Sequence, residues 1–188
     1  MPPPDEVAQQ VAQQVADEHA VTAAPPEAYV PVRFADVVVP LPSANPVVVL
    51  EEVDPPGRRL HIPIGLPEGV SIAYAARSMA TPRPLTHDLV TSLLEAFGLV
   101  LEVVRITGVR GTSFTAELVA SGPGGTRTLA CRPSDGIALA LRQQLFVPVV
   151  AAVAVLEAAG VAPEGETGPD GPEVDAASTR DAPPVSGS

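Results

Sequence analysis

The chain has 188 residues, enough for one domain of common size with tails and too few for two full domains. It carries a formal net charge of −11, 46% hydrophobic residues, only 3% aromatic residues and one cysteine, Cys131. A single cysteine excludes an intrachain disulfide framework and a cysteine-based zinc site, and so few aromatics argue against base-stacking platforms.

The charge is unevenly placed. Of the 22 acidic residues, half lie in residues 1–28 and 162–188. Residues 29–161 are near neutral, and arginine is their only cation because the chain has no lysine. Arginine binds carboxylate and phosphate bidentately, so the total charge does not exclude a phosphate-bearing substrate.

In chain order, "MPPPDEVAQQ" has no basic start and no apolar core, so it does not read as a signal peptide. Residues 7–18 repeat every four and align Val7, Val11 and Val15 on one helical face. A helix this short is marginal alone, so a frayed or partner-dependent helix is expected. Residues 1–28 form a tail that ends in a Pro/Ala linker. "YVPVRFADVVV" (29–39), "PVVVLEEV" (46–53) and "RRLHIPIG" (58–65) read as strands, the last two joined by a "DPPG" turn. "PEGVSIAYAARSMA" (67–80) reads as a helix burying Val70, Ile72, Ala73 and Ala76.

"RPLTHDLVTSLLEAFG" (83–98) is an amphipathic helix with stripe Leu89, Val90, Leu93, Leu94 and Phe97, stopped at Gly98. "LVLEVVRIT" (99–107) reads as a central strand. "TSFTAELV" (112–119) alternates, with Phe114, Ala116 and Leu118 inward and Thr115 and Glu117 outward. "TRTLAC" (126–131) returns after "SGPGG". "PSDGIALALRQQ" (133–144) and "VVAAVAVLEAAG" (149–160) read as helices. The expected fold is α+β, a mixed, largely antiparallel sheet with packed helices, and the β-β-β-α-α order occurring twice suggests an internal duplication. The tail from 162, rich in Gly, Pro, Asp and Glu, is expected to be disordered. The longest apolar run, 145–156, is too short for a membrane span, so a cytoplasmic protein without a membrane partner is expected.

Two helix starts echo each other: Arg83-Pro84 before Thr86-His87-Asp88, and Arg132-Pro133 before Ser134-Asp135. One reading is local: Thr86 and Ser134 cap, and the acids suit the positive helix end. The other is chemical. Arg83 and Arg132 beside helix N-termini could hold phosphate, His87 could move a proton, and Asp88 with Asp135 could hold a divalent metal through oxygens. A third is architectural, with Arg132 tied to Asp88 or Arg83 to Asp135. His61 reads as a structural strand residue, and Glu51, Glu52 and Asp54 as a solvated edge. Glu68 is a helix-start carboxylate that could join a site.

Taken in order, "NPVVVLEEVD", "LHIPIG…E", "PRPLTHDLVTSLLEAFG", "VVRITGVRGTSFTAELV" and "RPSDGIALALR" resemble the bifunctional nuclease domain family, first catalogued as a domain of unknown function. The resemblance covers about residues 30–161, close to the expected 29–161 domain. It implies a compact α+β domain, often homo-oligomeric, in bacteria and plants, with DNase and RNase activity ascribed to plant members. By position, the matching polar residues are Glu68, Arg83, His87, Asp88, Arg132, Ser134 and Asp135. The sequence departs from the family at "LHIPIG", where Leu-Pro-Ile-Trp-Ile-Gly is usual, and at Gly136, where alanine is usual.

The resulting expectation is a nuclease acting on DNA or RNA. His87, Asp88 and Asp135 are its catalytic residues, and Arg83, Arg132 and Ser134 bind substrate. Asp88, Asp135 and Glu68 hold Mg²⁺ or Mn²⁺. The rival is a non-catalytic homo-oligomeric interaction or regulatory module, favoured by the missing basic excess.

Overall fold

The computed structural model describes residues 28–163. The Val7–Val15 repeat and the acidic C-terminal tail lie outside them. The strands are β1 (Tyr29–Val38), β2 (Val47–Glu52), β3 (Arg59–Pro63), β4 (Val100–Arg110), β5 (Ser113–Ser121), β6 (Arg127–Cys131), β7 (Val149–Ala152) and β8 (Gly160–Val161). The helices are α1 (Leu66–Ala76), α2 (Thr86–Ala96), α3 (Pro133–Ala140) and α4 (Val153–Ala159). All described strands join one sheet in the order β6-β5-β4-β7-β1-β2-β3-β8. Only β4–β7 is parallel; the other pairs are antiparallel. The fold is therefore α+β, as expected. None of the described helices is long and apolar enough to cross a membrane.

Short turns explain the pairing. They join β1-β2-β3 and β4-β5-β6 into two antiparallel meanders, which β7 bridges by pairing with both β4 and β1. That bridge corrects the expected helix over 149–160. Val149–Ala152 is a strand, and only Val153–Ala159 is helical. A continuous apolar run has no period to separate a buried strand from a buried helix. The two β-β-β-α-α halves thus differ, since the second places β7 between its helices and adds β8.

The main core gathers Val32, Val48, Leu50, Leu60, Ile62 and Ile106 from the sheet around Ile137 of α3 and Leu156 of α4. Beside it, Leu101, Val104 and Leu118 pack with Leu139. Helix α3 lies directly on the sheet, close enough that a Cβ on Gly136 would fall 2.6 Å from Val104 Cγ1. Glycine here permits close packing that helix propensity alone would oppose.

Helix α2 departs from its expected role. None of its residues is fully buried, and Leu89, Leu93 and Phe97 are 57%, 47% and 69% exposed. Its stripe meets the body mainly through Val90, which packs on the smaller core. Glu117 also departs: it is buried although it alternates along β5 with the inward Ala116 and Leu118, and residues Ala116–Ala120 are all buried. Glu52 is buried as well, its carboxylate bonded by Arg58 Nε and Nη2 at 2.9 Å each, and is no solvated edge.

Candidate active site

The starts of α1, α2 and α3 converge because α3 packs against both other helices. Leu85 begins α2 in an extended conformation, and its backbone N–H donates to Asp88 Oδ2 at 2.7 Å. The carboxylate at the third helical position thus holds the helix entry. Thr86 lies one residue inside, so Asp88 does the capping expected of it. At α3, Arg132 precedes Pro133 and no side chain caps the helix.

A continuous polar chain crosses this junction. Arg142, just beyond α3 and 8% exposed, donates from Nε to Asp88 Oδ1 at 2.6 Å. Its Nη2 donates to Ser71 O at 3.1 Å and Ser71 Oγ at 2.8 Å, and its Nη1 to Ala138 O at 2.8 Å. Ser71 Oγ lies 2.9 Å from His87 Nδ1. His87 Nε2 faces Asp135 Oδ1 at 3.5 Å. Arg132 then forks onto Asp135, Nε to Oδ2 at 3.0 Å and Nη2 to Oδ1 at 2.9 Å, and reaches Glu68 Oε1 at 3.0 Å.

Hydrogen-bond chemistry orders the protons. Arginine only donates, so Ser71 Oγ accepts from Arg142 and its hydroxyl proton is free to reach His87 Nδ1. A neutral His87 then carries its proton on Nε2, towards Asp135. The hydroxyl can rotate to accept from Nδ1 instead, so Ser71 accommodates either state of the ring.

Burial pushes the Asp135 carboxyl upward, but hydrogen bonds and charge from Arg132, aided by His87, outweigh it and hold the group below the usual carboxylate range. Asp88 is held low chiefly by its hydrogen bond to Arg142, against a smaller effect of burial. Asp135 raises Arg132 further by hydrogen bond and charge. Burial, then the Asp135 charge, pushes the Cys131 thiol up to about 11.

The polar chain borders a cleft of about 510 Å³ at its Asp88–Arg142 end, lined also by Tyr74, Ser78 and Gln143, and two more at its Arg132 end. One of about 610 Å³ is lined by Glu68, Ser71, His87, Arg132 and Asp135, with Leu66 and Val70 supplying an apolar wall. A second, of about 310 Å³, lies across Arg132 and is lined by Asn45, Thr112, Ser113 and Ser134.

Of the seven residues singled out in the sequence, His87, Asp135, Arg132 and Glu68 meet in the cleft of about 610 Å³. Asp88 is nearby, but both its oxygens are engaged, by Arg142 and Leu85. Ser134 faces the cleft of about 310 Å³. Arg83 lines none of the three clefts and forms no ion pair among the described residues. The cross-helix ties expected of Arg132 with Asp88, or Arg83 with Asp135, give way to Arg132–Asp135 and Arg142–Asp88. Sequence reasoning missed Ser71 and Arg142. The visible signal was a lone arginine closing the apolar run "IALALR".

The donor set does not make a preformed metal centre. No group of three or more His, Cys, Asp or Glu among the described residues is arranged to hold an ion. The position shared by Glu68 and Asp135 is filled by Arg132 Nη2, and Asp88 is committed elsewhere.

Comparison with known proteins agrees with this chain's motifs. Two uncharacterized proteins of Mycobacterium tuberculosis, one from each of two strains, are 38% identical over 130 residues, covering 69% of this chain and 76% of each relative. Residues 48–164 match the bifunctional nuclease domain. That span contains the starts of all three converging helices and every residue of the polar chain, so the protein belongs to the bifunctional nuclease domain family.

Proposed function

We propose that this protein hydrolyses phosphodiester bonds of DNA or RNA in the His87 cleft. The observation that carries the reading is His87 itself, held between Ser71 Oγ and Asp135 in the cleft wall, beside a permanently charged arginine. An imidazole oriented at both nitrogens is suited to proton transfer near neutral pH.

Protonated on both nitrogens, His87 gives its Nε2 proton to the leaving oxygen and stays neutral with Nδ1–H donating to Ser71 Oγ; in that same Nδ1–H form its bare Nε2 takes a proton from the attacking water. Asp135 orients the ring at Nε2. Arg132 Nη1, which has no partner among the described residues, receives a phosphate oxygen. Asp88 acts indirectly, holding Arg142 and the start of α2. Arg83 contributes at the exposed surface, where a polynucleotide approaches.

Electrostatics sets a condition. Glu68 and Asp135 together outweigh Arg132, so the rim is net negative while His87 is neutral. Protonated His87 removes that excess. Mg²⁺ or Mn²⁺ would do so as well, with Glu68 and Asp135 as the carboxylates that would hold it, and no step above depends on it.

The test is cleavage of single- and double-stranded DNA and RNA by highly purified protein, with Mg²⁺, Mn²⁺ or EDTA. His87→Ala and Asp135→Asn, each verified as folded, are expected to lose at least about 100-fold in rate. Activity that survives in both folded variants overturns the assignment.

A second reading rests on the bare Leu89, Leu93 and Phe97 face of α2. As a homo-oligomeric regulatory module, the protein would bury that face against another copy and cleave nothing. Light scattering together with the cleavage assay separates the two readings.

A further inference from the structure

We propose that the second cleft, across Arg132 from His87, is a separate phosphate-binding subsite centred on Ser134. Its lining contains Arg132 and no carboxylate, in contrast to the two acids of the His87 cleft. It is therefore the more favourable of the two for an anion.

Two independent features point to a ligand there. Ser134 is 4% exposed, lines the cleft and has no side-chain hydrogen bond among the described residues. No fully buried side-chain oxygen among the described residues lacks a partner, so this unpartnered hydroxyl opens into the cleft and is not sealed beneath it. It also lies at the start of the eight-residue helix α3, where Pro133 has no N–H and the Ser134 N–H lacks a partner among the described residues. The positive helix end, a free N–H, a free hydroxyl and the Nη1 proton of Arg132 left over from the first phosphate make a donor set for a tetrahedral oxyanion. Asn45, Thr112 and Ser113 add polar atoms around it.

Arg132 stands between the clefts, its Nε and Nη2 turned to Asp135 and Glu68. A polynucleotide crossing it would present one phosphate to His87 and a neighbouring phosphate to Ser134. The occupant rests on the nuclease reading; the phosphate site does not. The substrate class it names is a strand with at least two phosphates.

Inorganic phosphate is the first probe, titrated into the full chain while backbone amide resonances are followed. Saturable shifts at Ser134 and Asp135 amides are expected, weakened roughly tenfold in Ser134→Ala. Asn45→Ala, at an exposed turn position, is expected to weaken binding less and serves as a second variant that leaves the helix untouched. Shifts that do not saturate, or that centre on His87 and spare Ser134, overturn the site. The second measurement compares a dinucleotide with the same dinucleotide bearing a terminal phosphate. The extra phosphate is expected to lower KM in the wild type and not in Ser134→Ala, with kcat little changed. Equal KM values for the two substrates in the wild type overturn the polynucleotide occupant. Saturable phosphate binding with no cleavage of any substrate leaves the Ser134 site standing and refutes the nuclease reading.

Discussion

Arg142 uses its guanidinium on three elements at once: Asp88 of α2, Ser71 of α1 and the Ala138 carbonyl of its own helix. Replacing it with methionine removes these bonds and strands an ionised carboxylate. The expected loss is about 2–3 kcal/mol, below that of a fully buried pair because Asp88 keeps contact with water. Urea unfolding measures it. Asp88 and Asp135 both titrate below their unfolded values. Their contribution to stability is therefore present above about pH 4 and is lost as the pH falls through their folded values. Asp88→Asn should flatten the acid limb of a stability-versus-pH curve. Cys131, with its thiol raised to about 11, should react with a thiol reagent at pH 8 much more slowly than the unfolded chain does.

Among the elements, α2 and α3 make opposite predictions from similar sequences. Both carry apolar runs behind an Arg-Pro start, yet Ile137 is fully buried and Leu89 is more than half exposed. Ile137→Ala should cost about 3–4 kcal/mol, whereas Leu89→Gln should change stability in the monomer by no more than about 0.5 kcal/mol. Gly136→Ala gains about 1 kcal/mol of helix propensity but drives a Cβ against Val104. The net expected effect is a loss of about 1 kcal/mol, since the fully buried Val104 has little room to retreat. Thermal melts of the three variants provide the comparison. Periodicity revealed where these helices lie, but not how deeply each is covered, because that depends on neighbours distant in the chain.

For the whole molecule, β1 matters more than its position outside the matched span suggests. The family match begins at residue 48, while β1 runs from Tyr29 to Val38 and sits between β7 and β2 in the middle of the sheet. A chain starting at residue 46 loses the pairing on both sides of β1 and opens two interior edges. It should show no cooperative unfolding transition by circular dichroism, whereas one starting at residue 28 should.

The amino-acid sequence by itself determined the α+β class, the six strands of the two meanders and the starts of three helices. Each depends on signals within a few residues: alternation, a proline before an apolar run, a glycine after it. It also singled out seven polar residues, of which the fold brings His87, Asp135, Arg132 and Glu68 into one cleft. Tertiary structure alone decided that Val149–Ala152 is the strand joining the two meanders, since a uniformly apolar segment takes its conformation from the edges available to it. Only the fold could pair Asp88 with Arg142, 54 residues away, and divert Ser134 into a different cleft from His87. Hydrogen-bond partners are selected by distance and direction in space, and a pattern of residues along the chain carries neither.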